Sequence, residues 1–155
     1  MSGPVTECAN QVPGCCHATR CNRDGCRVAL RGVPQKRIIV DMDCKALQIP
    51  NGRKRCDYLF VGEEPNTTWV VPIELKGGGW KASEALEQIE EGVRIADMWL
   101  PRGTSFQFVP VLVHGKGTHR NELRKLRSRK MRLRGQMKRI ALIRCGAQLK
   151  SALTE

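Results

Sequence analysis

The chain has 155 residues, of which 41% are hydrophobic, and a formal net charge of +12. That size suits one domain with a real core, and the composition excludes wholesale disorder. No apolar run reaches the ~20 residues that a bilayer crossing needs, and the N-terminus lacks both a basic n-region and an apolar h-region. A cytoplasmic protein with no signal peptide and no membrane partner is therefore expected. The charge is uneven. From residue 120 onward there are 12 of the 27 Lys and Arg but only 2 of the 15 acids. Such a block favours a polyanion through counterion release, nucleic acid first, with a solvated helix face or an anionic lipid contact as the alternatives.

Residues 1–26 lack hydrophobic periodicity, carry Pro4, Pro13, Gly14 and Gly25, and read as an irregular arm rich in cysteine. Short strands are predicted at 27–30 and 37–40. A meander follows, with strands at 44–49, 55–61 and 69–76 joined by turns at 50–52 and 62–68. Pro72 would delete a ladder donor, so the third strand is expected at a sheet edge or with a bulge. Gly77, Gly78 and Gly79 break it. Leu86, Ile89, Val93, Ala96 and Leu100 recur at helical spacing, which predicts a helix over 83–99, stopped by Pro101. A buried strand is predicted at 106–115, a basic helix at 119–130, a last strand at 136–145 and a final helical turn near 147–153. This order implies an α/β domain over 27–155 with a mixed central sheet flanked by helices, and a basic C-terminal segment at 119–139.

Two strands of the meander carry the chemistry. Glu74 and Lys76 face one side of their strand, with Leu75 on the other. If strands 55–61 and 69–76 pair antiparallel, Asp57 lies near Glu74. Phosphodiester hydrolysis needs a stabilised phosphate charge and a nucleophilic water. Hard oxygen ligands such as Asp57 and Glu74, with the Leu75 carbonyl, suit Mg²⁺ or Mn²⁺, and Lys76 could orient the water or neutralise phosphate. The alternative is a surface Glu–Lys pair with Asp57 as a strand-end charge. Arg53, Lys54 and Arg55 could contact nucleic acid beside Asp57. Arg120, Arg124, Lys125, Arg127, Arg129, Lys130, Arg132 and Arg134 could grip phosphates without reading sequence. His114 and Lys116 are expected to have strand-end roles.

The Asp57…Glu74-Leu75-Lys76 arrangement, on two hydrophobic strands before a glycine break and a helix, resembles the PD-(D/E)xK nuclease superfamily over roughly residues 40–115. The resemblance implies a restriction-endonuclease-like fold and favours DNA over RNA. It also implies a glutamine on the following helix near the site, which here is Gln88. The superfamily usually places a helix before the meander, often with another acid, and the sequence offers none. Asp41 and Asp43 could fill that role or simply end a strand.

Five of the eight cysteines lie in the arm. Cys8, Cys15 or Cys16, Cys21 and Cys26 offer a tetrahedral zinc set, which would order a segment that has no core of its own. Buried thiols are the alternative. An iron–sulfur cluster enters through the resemblance, because one branch of the superfamily carries one. Cys44 and Cys56 are expected to pack in the core. The leading expectation is a metal-dependent nuclease. A non-catalytic nucleic-acid-binding module with a zinc-stabilised arm, a subunit of a larger complex, or a homodimer are the alternatives in partnership and role.

Overall fold

The computed structural model describes residues 3–47, 49, 54–115 and 117–154. The turn at 50–52, Arg53 and Lys116 lie outside them.

The arm is not irregular. Pro4 opens helix α1 (Pro4–Gln11), where its missing N–H costs nothing. Val5, Cys8 and, just past the helix, Val12 form its buried stripe. A short hairpin follows, β1 (Cys21–Arg23) and β2 (Cys26–Val28). Its turn residues Asp24 and Gly25 have φ of 52° and 76°, the backbone that an Asp-Gly hairpin turn requires.

The meander is β3 (Lys36–Asp41), β4 (Tyr58–Glu64) and β5 (Thr67–Lys76), all antiparallel. The strand predicted at 44–49 is not among its members: Lys45–Leu47 make a single 3-10 turn, and the first strand is β3. The strong turn signal at 50–52 drew the expectation to the wrong apolar run. The turn predicted at 62–68 shrinks to Pro65 and Asn66, because β4 and β5 pair out to Glu64 and Thr67.

Helix α2 (Ala82–Trp99) buries Ala85, Ile89, Val93 and Ala96. Gly92 lets it approach the sheet: a Cβ there would collide with Cys56 Sγ and lie 3.5 Å from Pro72 Cβ. The strand predicted at 106–115 splits into β6 (Phe106–Phe108) and β7 (Val111–His114), both parallel to β5. This split explains why β5 is central although it holds Pro72. Pairing with β6 ends at Val70 and pairing with β7 begins at Ile73, so Pro72 falls where no ladder donor is needed.

Helix α3 (Arg120–Arg127) leads to a hairpin, β8 (Lys130–Leu133) and β9 (Gln136–Arg139), turned by Arg134 and Gly135. The strand predicted at 136–145 is therefore two strands. Its second half, β10 (Ala141–Arg144), pairs parallel with β7, and α4 (Leu149–Leu153) closes the described chain.

The central sheet has the order β10-β7-β5-β4-β3, with β6 beside β5. One face carries α1, α2, Leu126 of α3 and the β8–β9 hairpin, packed on Leu59, Val61, Val70 and Leu112. The other carries the β1–β2 hairpin and α4, packed on Phe60, Val71, Ile73 and Val113. The result is a mixed α/β layering. Among the described residues, no helix is long and apolar enough to cross a membrane.

Candidate functional site

The register of β4 and β5 pairs Tyr58 with Ile73, so the next pair is Asp57 with Glu74. Here side chains take over from the backbone ladder. The Asp57 N–H donates to Glu74 Oε1 at 3.0 Å, and the Leu75 N–H donates to Asp57 Oδ2 at 2.8 Å. Each acid is held by the backbone of the other's strand. Lys76 Nζ lies 3.0 Å from Glu74 Oε2. Thus Asp57, Glu74 and Lys76 converge at one end of the sheet.

Glu74 is only 1% exposed. Burial, and then the Asp57 charge, push its carboxyl up to about 8 against the pull of Lys76. Asp57 is also raised, by burial, although the Leu75 N–H and Arg23 oppose the shift. A buried and a half-buried carboxyl therefore oppose each other's ionisation, and the neighbouring cations balance them incompletely.

Arg23 is a member of the site that the sequence reading missed. Its Nη2 lies 2.9 Å from Asp41 Oδ1 and 3.3 Å from Asp43 Oδ2, and its Nε lies 3.5 Å from Asp57 Oδ1. The guanidinium also sits 4.7 Å from the centre of the Tyr58 ring. Asp41 and Asp43 thus reach Asp57 through Arg23. The β1–β2 hairpin is fitted to this corner: the Tyr58 hydroxyl donates to Asn22 O at 2.9 Å, and a Cβ on Gly77 would lie 2.8 Å from Asp24 O. The Asp-Gly turn at 24–25 was the available signal for the hairpin.

The second group of residues lines the ends of three parallel strands. Lys76 of β5 is in register with His114 of β7, and His114 with Arg144 of β10. Lys76, His114 and Arg144 thus stand side by side across neighbouring strands. A cavity of about 930 Å³ opens beside them, lined by His114, Arg120, Arg124, Arg127 and Arg144 among others. The Gly115 N–H donates to Lys76 O at 2.9 Å, which joins the cavity rim to the carboxylate corner. None of the four arginines has an acidic partner among the described residues. His114 is shifted down, by burial first and then by Arg144 and Arg127.

The remaining predicted residues divide. Gln88 lies on α2 with Oε1 sheltered from solvent and without a protein donor, and no hydrogen bond joins it to Glu74 or Lys76. Lys54 is exposed, while Arg55 Nε is 3.4 Å from Asp43 Oδ1. Lys125 pairs with Glu122 at 3.2 Å. Arg129 and Lys130 are exposed outside the cavity lining. Arg134 is not a free phosphate ligand: it binds Asp97 Oδ1 at 2.6 Å and the carbonyls of Asp97, Leu100 and Pro101, and so caps the C-terminus of α2.

The zinc set expected in the arm is not assembled. Cys8 is buried beside the Trp99 carbonyl, Cys21 is buried on the opposite face of the sheet, and Cys26 is bonded to Cys145. Burial lifts the Cys8 thiol to about 11 and the Cys21 thiol to about 12, which disfavours the thiolates a metal needs. Cys44 is not mere packing, because it is bonded to Cys16. Among the described residues, Cys15, Cys16 and Cys44 are the group whose ligand atoms approach one another closely enough to hold a metal such as zinc.

No protein-family model, curated protein or solved structure matches the chain. Its functional reading rests on its own residues.

Proposed function

We propose that the chain is a metal-dependent nuclease that hydrolyses phosphodiester bonds, with DNA favoured by the PD-(D/E)xK resemblance. The observation that carries the reading is the interlocked Asp57–Glu74 pair with Lys76, beside a cavity lined by four arginines without acidic partners among the described residues. A buried Glu74 beside a half-buried Asp57, each opposing the other's ionisation, is retained against a folding cost. So are the arginines of the cavity, which stand near one another without acidic partners among the described residues. Together they suit a site that takes a cation on one side and a polyanion on the other. With the β1–β2 hairpin inserted after α1 and the short β6 before β7 set aside, the order α1, β3, β4, β5, α2, β7 also supports the restriction-endonuclease-like reading, since α1 supplies the helix that the sequence reading did not find.

The donor set fits a hard divalent ion. Asp57 and Glu74, with the Leu75 carbonyl, would hold Mg²⁺ or Mn²⁺, which when bound lowers the pKa of its water and polarises a phosphoryl oxygen. The chain's own residues do the rest. Lys76, held in place by Glu74, stabilises the anionic water or the phosphate oxygen it meets. Arg120, Arg124, Arg127, Arg144 and His114 hold the backbone of the strand that leaves the site. Gln88, with its sheltered acceptor unused, is suited to fix a water on the same face.

One observation favours a binding-only protein. Arg23 and Lys76 already contact the carboxylates, as a site adapted to work without metal would require. Cleavage of supercoiled plasmid and labelled single strands, with Mg²⁺, Mn²⁺ or EDTA, decides between the two. The nuclease cuts only with metal and loses cutting in Glu74→Ala. Binding without cutting under every condition leaves the module.

A further inference from the structure

We infer that Cys15, Cys16 and Cys44 form a site for one thiophilic divalent cation, zinc being the fitting ion, and that the Cys16–Cys44 disulfide is the alternative, metal-free state of the same site. The three sulfurs all lie within 4.8 Å of one another. Thiolates sharing a tetrahedral zinc at ~2.3 Å stand about 3.8 Å apart, so once reduction breaks the Cys16–Cys44 bond those two sulfurs separate and the Cys15 sulfur, within 4.8 Å of both, can join them on one ion. A disulfide uses two of these sulfurs and leaves the third without a role. A metal uses all three.

The placement does not depend on the disulfide. Cys15 and Cys16 belong to a single-turn helix, Gly14–Cys16, held by Cys16 N–H to Pro13 O at 2.9 Å and His17 N–H to Gly14 O at 3.1 Å. That turn is fastened to β3 by the Ala18 N–H to Ile39 O bond at 2.7 Å. Cys44 sits in the loop leaving the same strand, fixed by its N–H to Asp41 O at 3.1 Å. Backbone bonds thus bring the two segments together and aim the thiols at a common point. Cys16 is buried, Cys44 half-buried and Cys15 exposed. The fourth coordination position therefore falls on the solvent side, where water can fill it. Soft thiolates select zinc over the hard Mg²⁺ or Mn²⁺ suited to Asp57 and Glu74.

The two states interconvert by a two-electron step. With a small-molecule disulfide as oxidant, the Cys16 and Cys44 thiolates lose two electrons and form their S–S bond. The oxidant's S–S bond breaks to give two thiolates, and Zn²⁺ leaves with Cys15 as its only remaining protein ligand.

The test uses the full chain reduced with a phosphine and titrated with Zn²⁺ under native mass spectrometry. The expected result is one bound Zn²⁺, with affinity at least about tenfold weaker in Cys15→Ser and in Cys44→Ser, and unchanged in Cys145→Ser. Cys15 is exposed, so its variant should keep the wild-type circular dichroism and report on the ligand alone. Adding oxidised glutathione should release the ion as a Cys16–Cys44 peptide appears in the digest. No uptake by the reduced chain overturns the inference. So does full affinity in a folded Cys15→Ser variant, or an ion still held after the disulfide has formed. None of these readings depends on nuclease activity.

Discussion

Glu74→Gln separates the cost of the site from its use. A carboxyl whose folded-state pKa lies above its unfolded value binds its proton more tightly when folded. Its favourable contribution is complete below the unfolded value and disappears as pH rises through the folded one. For Glu74 that window runs from 4.5 to about 8, and the upward shift of Asp57 adds a slope of the same sign. One proton of linkage is worth up to about 1.4 kcal/mol per pH unit. Between pH 5 and pH 7 the metal-free protein should therefore lose about 2 kcal/mol, after allowance for relaxation around the pair. The glutamine keeps an acceptor for the Asp57 N–H but turns an amide toward Lys76, so the variant should be the less stable protein at pH 5. Its stability should fall less steeply toward pH 8, keeping only the slope that Asp57 supplies, and the two curves converge there. Urea denaturation in EDTA at four pH values reads this directly. Parallel slopes for the two proteins would refute the argument that Glu74 carries the linkage. Mg²⁺ at a hundred times its dissociation constant should stabilise the wild type by about 2.7 kcal/mol at pH 7.5. It should do far less for the variant, and no gain in the wild type would remove Glu74 as a ligand.

Lys76→Ala should lower cleavage at least ~100-fold while leaving DNA affinity in EDTA nearly unchanged, as a group acting on developing charge would; gel assays and single-turnover rates check both. The double variant Arg127→Ala, Arg144→Ala should weaken binding to all sequences alike and reduce the slope of log affinity against log salt by roughly 1 to 2. An unchanged slope would place the strand elsewhere. Gly92→Ala should destabilise by about 1 to 3 kcal/mol through overpacking against Cys56 and Pro72, measured by thermal melting. Arg134→Ala should cost about 2 to 3 kcal/mol by uncapping α2, with no change in the salt slope of binding, which distinguishes it from the cavity arginines.

The residues legible in the sequence are those whose relations are local. Glu74 and Lys76 share a face because strands alternate, and Asp57 opposes Glu74 because a short connection sets the register of its hairpin. Helix α2 announces itself by its apolar spacing. The hidden parts join distant segments. Arg23 lies 34 residues before Asp57, and the bonded pairs Cys16–Cys44 and Cys26–Cys145 are separated by 28 and 119 positions. No periodicity encodes such meetings. Helix α1 is hidden differently: Pro4 reads as a breaker in the sequence but stands at the helix N-terminus, and cysteine takes one of the places on the buried stripe.

The basic row shows how topology completes what composition only suggests. The C-terminal quarter is plainly basic in the sequence, yet its residues separate in the fold. Arg134 caps α2, Lys125 pairs with Glu122, and Arg120, Arg124 and Arg127 line the cavity. Arg144 joins them because β10 runs parallel to β7, which runs parallel to β5, so Lys76, His114 and Arg144 end at one level. Three parallel strands meet there at their C-terminal ends, the edge where open α/β sheets present ligand sites. The pairing that sets Lys76 beside Glu74 also sets it beside His114. Carboxylate corner and basic cavity are therefore two sides of one strand end, so under the proposed nuclease reading the cavity that would hold a phosphate opens beside Lys76.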